Sequence, residues 1–215
     1  MSVKRMCALG RVSRAGFYRS RRSAERVEQN ALVLNWHGRA SSRFTLGAAV
    51  AAARAIEQLG AKPAIKWPND ILISGKKACG LLTEMSAEQD RIRHIVLGIG
   101  IDVNMKLDAL PADVRELSTT LAIETGETID RTMLLRQILR ELDRWYTTFL
   151  ADEQEVLREW TSLNLTLGRR VLVSGAGKTL KGLAQRIDND GRLIIELDDG
   201  AVHAVAAGDV TIVKR

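Results

Sequence analysis

The sequence predicts an α+β fold in which a sheet backed by helices precedes a small barrel of short strands. Three observations carry that prediction. A small-residue helical run leads into apolar runs of strand length, two further amphipathic helical runs follow, and beyond about residue 165 the pattern becomes short strands divided by glycine turns. A chain of 215 residues buries a proper core and suits one medium domain with a smaller one. Its 46% apolar and 27% charged residues are those of an ordinary soluble globular protein, and no apolar run reaches the roughly 18 residues of a membrane span. The Arg-rich start lacks the apolar core of a secretory signal, so the expected location is the cytoplasm and no membrane partner is expected.

Residues 1–30 form the first segment and hold eight Lys or Arg against Glu25 and Glu28. That net +6 equals the charge of the whole chain, so residues 31–215 are balanced and give no electrostatic reason to expect nucleic acid. "MCALGRVSRAGFYR" has the pattern of a short helix, a glycine turn and a second helix begun by Ser13, and it resembles the DNA-binding start of insertion-sequence transposases. The plainer reading is a solvated basic tail, because thirty residues are too few to bury a DNA-binding core of their own. DNA is therefore not an expected partner.

The second segment, residues 31–165, contains "SSRFTLGAAVAAARAIEQLG" at residues 41–60. Leu46, Ala49, Val50, Ala53 and Ile56 fall at helical spacing, Ser and Thr offer an N-cap, and Gly60 is placed to end the helix. "AIKW", "DILIS", "KACGLLTEM" and "RIRHIVLGIGIDVNM" then read as strands separated by polar turns. Asp130 caps a helix whose Leu134, Ile138, Leu142, Trp145 and Phe149 make one apolar stripe, and "DEQEVLREWTSLN" reads as another helix. The third segment, residues 166–215, contains about five short strands between Gly-Ala-Gly, Asp-Asn-Asp-Gly, Asp-Asp-Gly and Ala-Gly-Asp turns, which suggests a small barrel. Cys7 and Cys79 lie far apart with no metal-ligand spacing, so both are expected as reduced thiols and no metal site is predicted.

"KWPND" is the stretch that structure alone explains least, because strand interiors seldom carry Pro or adjacent polar residues. It is followed by "GKKACGLLTEM", by "IVLGIGIDVNM", by helices and by a short Gly-punctuated barrel. This ordered set resembles the biotin protein ligases from about Leu32 to Arg215. The resemblance implies a mixed sheet with helices, an incomplete catalytic domain of the biotin/lipoate ligase kind, followed by an SH3-like barrel. It also implies an enzyme that activates biotin with ATP and Mg²⁺ to biotinyl-5′-AMP and passes the acyl group to a lysine of a biotin carboxyl carrier protein. Related ligases often dimerise through the central sheet, so a homodimer is among the expectations.

Activation brings a carboxylate against a phosphate, which calls for fixed positive charge. By resemblance Lys77 supplies it, contacting the biotin carboxylate and the developing acyl phosphate; without the motif it reads as a solvated hairpin lysine beside Gly75. Asp70 and Asn69 match the end of the family's Trp-Pro-Asn-Asp run. Asp70 is the second catalytic candidate, accepting hydrogen bonds from ligand or incoming amine or helping to hold Mg²⁺, and Asn69 offers donor and acceptor together. Both also suit an Asx-type turn. Trp67 is expected to shield the site or stack near the nucleotide, with plain core as the alternative. Gly80, Gly98 and Gly100 would let backbone approach a ligand closely, although sheet packing explains them as well. In "GIGIDVN" the family has Asn where this chain has Asp102, which removes a donor and adds negative charge beside phosphates.

The family's Asp-Ser-Thr-Asn turn for the biotin ring and its Gly-Arg-Gly-Arg-Arg-Gly loop over the adenylate do not occur in this sequence, and Arg39 and Arg43 do not reproduce the loop. A catalytically impaired ligase remnant is therefore the second expectation. A DNA-binding regulator, supported by the basic start alone, and a lipoate ligase-like protein are the others.

Overall fold

The computed structural model describes residues 30–34, 41–88, 91–175 and 178–213. The helix-turn-helix reading of the basic start, Cys7 and Arg39 lie outside the described residues. The first sheet contains β1 (Asn30–Leu34), β2 (Pro63–Lys66), β3 (Asp70–Ile73), β4 (Lys76–Glu88) and β5 (Arg91–Ile101), in the order β1-β5-β4-β3-β2. Each of these strand pairs is antiparallel, and parallel pairing is confined to the isolated bridges Ile65↔Asn164 and Lys77↔Ser118.

Side chains alternate along these strands, so one face is apolar. Ile65, Ile71, Ile73, Cys79, Leu81, Ile95 and Leu97 are buried there. Against that face lies α1 (Ser41–Glu57), and the longer α4 (Arg131–Ala151) and α5 (Glu153–Leu163) pack on it from the other side. The helix is buried all round from Leu46 to Ala53, further than the stripe read from its spacing, because it is sandwiched between sheet and helices. Its alanines allow both approaches. Gly60 ends it at φ 87°, a left-handed conformation that favours glycine. Asp130 caps α4 by accepting from the Thr132 and Met133 amides, and Asp152 caps α5 by accepting from Gln154. Leu134, Ile138, Leu142 and Trp145 are buried on one stripe of α4, with Phe149 half-buried at its end. Between β5 and α4 run the short helices α2 (Ala112–Arg115) and α3 (Leu121–Thr125).

The C-terminal module is SH3-like and has the five expected strands: β6 (Arg170–Gly175), β7 (Lys178–Ile187), β8 (Leu193–Leu197), β9 (Val202–Val205) and β10 (Asp209–Ile212). Their order is β10-β6-β7-β8-β9, and every pair is antiparallel. β9 and β10 do not pair with each other, so among the described strands the small barrel that the turn pattern suggested is left open along one seam. Closure needs hydrogen bonds between first and last strands, and turn spacing does not encode them.

The two sheets share one apolar core. Leu165 donates its amide to the Ile65 carbonyl, Asn164 donates its side-chain amide to the same oxygen, and Thr166 Oγ1 accepts from the Trp67 amide.

Gly182 on β7 shows how close the second sheet packs. A Cβ there would meet the Glu196 carbonyl oxygen and lie 2.8 Å from Ile195 Cγ2. Since backbone has to move to admit a methyl group, Gly182→Ala is expected to lower stability by about 2 kcal/mol. Thermal melts of the two proteins check this, and coincident curves would show that β7 and β8 separate at little cost.

Candidate active site

Lys66, Asp70, Gly80 and Gly100 stand side by side across β2, β3, β4 and β5, because Lys66 pairs with Asp70, Asp70 with Gly80, and Gly80 with Gly100. Lys77 reaches the same row through an irregularity. The β3–β4 register advances from Ile71↔Cys79 to Leu72↔Lys77, leaving Ala78 as an extra residue on β4. Three steps along a regular strand would put Lys77 and Gly80 on opposite faces, and the bulge returns them to one face. The buried Ala78 and Cys79 fill the apolar side at that point.

The resulting cluster is ionic. Lys77 Nζ lies 2.5 Å from Asp70 Oδ1 and Lys66 Nζ 3.7 Å from Asp70 Oδ2, so one carboxylate bridges two ammonium groups. The Asp70 side chain is 19% exposed while that of Lys77 is 48% exposed, which leaves the lysine open to solvent or ligand. Gly80 makes room for it: a Cβ there would sit 3.1 Å from Lys77 Cε and 3.2 Å from Nζ. Gly100 lies opposite, where a Cβ would have only ordinary contact with the Gly80 carbonyl at 3.8 Å. The two glycines form a floor without side chains beside the lysine. Gly98 stands two residues along β5, opposite the exposed Leu82.

Asp102 follows β5 and is held by its backbone, its amide donating to Ala78 and its carbonyl accepting from Leu121. Burial disfavours its charged form and pushes its carboxyl up to about 6, partly offset by the Lys77 ammonium. The folded pKa thus lies above the ordinary 3.8, and the folded chain binds more protons than the unfolded one between about pH 4 and 6. Stability falls as pH rises through that window, by about 2 kcal/mol for a partly buried group. Asp102→Asn is therefore expected to melt several degrees higher at pH 7.5, with the two proteins converging toward pH 4. Parallel melting curves from pH 4 to pH 8 would contradict this.

Burial likewise pushes the Cys79 thiol far up, with Lys77 opposing and Asp102 and Asp70 adding, so it is an inert core group.

Two predicted residues use their polar atoms inside the protein. Asn69 donates its side-chain amide to the Leu81 carbonyl at 2.5 Å and accepts the Leu81 amide on its own carbonyl, which fastens the Trp67–Asn69 turn to β4. Trp67 precedes a cis proline, is 1% exposed, and donates its indole N–H to the Gly191 carbonyl of the second sheet.

Lys66 was not singled out from the sequence. Its signal was the strand register, which places it beside Asp70. A cavity of about 450 Å³ beyond Asp102 was also missed, lined by Asn104, Met105, Lys106, Leu107, Asp108, Thr120, Ala122 and Ile123. It lies beside Asp102 and Val103, whose carbonyls accept from the Leu121 and Ala122 amides. Among the described residues no three His, Cys, Asp or Glu side chains cluster as a metal cage.

Residues 31–102, which include the whole row, match the biotin/lipoate A/B protein ligase family, and residues 166–213 match the biotin protein ligase C-terminal domain. The chain is 37% identical over 172 residues to the bifunctional ligase/repressor BirA of Bacillus spizizenii, covering 79% of this chain and 53% of that protein. It is 31% identical over 151 residues to a biotin–[acetyl-CoA-carboxylase] ligase of Mycobacterium tuberculosis, covering 70% and 53%. The chain thus spans about half the length of the curated relatives it matches. Among solved structures, the apo biotin protein ligase of Aquifex aeolicus superimposes with a TM-score of 0.72 at 22% identity, covering 85% of this chain and 83% of that one. The same enzyme in complex with biotin and ATP gives 0.71 at 23% identity, covering 86% and 79%. These structures share the fold.

Proposed function

Because the chain belongs to the biotin protein ligase family, we propose that it joins biotin to ATP as biotinyl-5′-AMP, releasing pyrophosphate, and passes the acyl group to a lysine of a biotin carboxyl carrier protein. The observation that carries this reading is the half-exposed Lys77 held against Asp70 over the Gly80–Gly100 floor. The attacking carboxylate and the α-phosphate repel each other, and a fixed ammonium beside both stabilises the charge that develops between them. Asp70 keeps the Lys77 amine in place before the ligand arrives, and Lys66 balances the second carboxylate oxygen. The glycine floor lets the carboxylate approach backbone closely.

In this reading the cavity beyond Asp102 takes the nucleotide, with Lys106 as its cation. Mg²⁺ fits as an ion carried on the nucleotide phosphates, neutralising part of their charge, since the site offers isolated carboxylates in place of a cage. Asp70 and Asp102 are the groups that would reach such an ion. Among the described residues no helix is long and apolar enough to cross a membrane.

The test is pyrophosphate release by the purified chain with ATP, Mg²⁺ and either biotin or lipoate, followed by transfer to a carrier domain. Biotin-dependent release and carrier labelling are expected. Release with lipoate but not with biotin would move the assignment to the lipoate branch, and release with neither would leave an impaired ligase fold.

A further inference from the structure

The helical layer carries a charged face that the proposed ligase chemistry does not use. On α1, Arg43 pairs with Glu153, and Arg54 with Glu57 and Glu159; on α5, Arg158 pairs with Asp152 and Glu155. The arginines of α4 are arranged otherwise. Arg136, Arg140 and Arg144 recur at four-residue spacing and line one exposed side of the helix. Among the described residues no carboxylate lies within ion-pair distance of Arg136 or Arg140. Arg144 reaches Glu141 only at 3.7 Å and lies over the Trp145 ring. Like charges four residues apart weaken a helix, so folding does not call for this row. Met133 and Leu139 are exposed beside it.

We infer that this face of α4 docks an acidic amphipathic helix of a partner protein, whose carboxylates at four-residue spacing meet Arg136, Arg140 and Arg144 and whose apolar residues cover Met133 and Leu139. Charge complementarity selects an acidic partner. The two apolar side chains select a polypeptide over a phosphate backbone, which would bury them against charge. Asp143 lies on the same side and repels a continuous row of phosphates, whereas a peptide can place a neutral or basic residue opposite it. Since α1 lies between α4 and the first sheet, a partner held here leaves the Lys77 row open.

The test uses the full chain and fluorescence anisotropy of a labelled helical peptide with Glu at every fourth position and Leu between. Residues 1–30 carry net +6 and will attract any acidic probe. The comparison is therefore between Arg136→Glu/Arg140→Glu and a charge-matched control on the exposed side of β7, Lys181→Glu/Arg186→Glu. The α4 reversal is expected to weaken binding about tenfold more than the control. Melting curves matched to the unmodified chain verify that both variants are folded, and where either is not, the comparison is made between Arg136→Ala/Arg140→Ala and Lys181→Ala/Arg186→Ala. Equal weakening by the two reversals, or no saturable binding by the unmodified chain, overturns the inference. Tighter binding of a DNA duplex with the same α4 sensitivity overturns it in favour of nucleic acid.

Discussion

Lys77→Ala is expected to lower the rate of biotinyl-adenylate formation by about two to three orders of magnitude while leaving the fold intact, because the two effects rest on different properties of one side chain. The Lys77 ammonium is half exposed, so its ion pair with Asp70 is screened by water and contributes about 1 kcal/mol or less to stability. In the proposed reaction the same charge faces a carboxylate and a phosphate at once, in a site from which ligand has displaced water, where its effect on the barrier is several-fold larger. Lys77→Arg is expected to restore little. A guanidinium is broader than an ammonium, and the space above Gly80 is already filled to within about 3 Å of where a Cβ would lie. The measurement is single-turnover pyrophosphate release beside a thermal melt. A full rate in Lys77→Ala would remove Lys77 from the chemistry, and a collapsed melt would make it structural.

How such a site is assembled explains which parts of it were legible in the sequence. The helices were legible because their signals are local. The small residues of α1, its terminal Gly60 and the Asp130 cap act through neighbours within a turn or two, and each appears where the spacing put it. The strands were legible from apolar runs and turns. The Lys66–Asp70–Gly80–Gly100 row was not, since it depends on which residue of one strand faces which residue of the next. The bulge at Ala78 is a sharper case. Period-two alternation alone separates Lys77 from Gly80, and only pairing with β3 shows the extra residue. The cavity beyond Asp102 arises from a loop folding over the end of β5, tied by Asn104 to the backbone of Ile129. Nothing in the local pattern of Asn104–Asp108 marks it as a lining. Lys77 and Asp70 both come from the family motif, and the structure sets them 2.5 Å apart, a pairing that period-two alternation does not encode.

Trp67→Ala is expected to be the most destabilising single change in the ionic row's surroundings, by about 3 to 5 kcal/mol, which for a chain of this size is a fall in Tm of roughly 10 °C. Three observations set that scale. The side chain is 1% exposed and belongs to the shared core, so its removal leaves a cavity between the two sheets. Its indole N–H donates at 3.1 Å to the Gly191 carbonyl, and its backbone amide donates to Thr166 Oγ1, so it links the strand before the site to the C-terminal module. It also opens the turn whose Asn69 is fastened to Leu81 and which delivers Asp70 to Lys77. Trp67→Phe separates these roles, because it keeps most of the volume and loses only the indole hydrogen bond; its loss should be about 1 kcal/mol plus a small packing term. If the residue served only the nucleotide, both variants would melt with the unmodified chain and differ from it in ATP affinity alone. If it is the link described, melting falls in the order Phe then Ala, and adenylate formation falls with it, since Asp70 and Lys77 meet only where the turn begun by Trp67 holds β3 against β4.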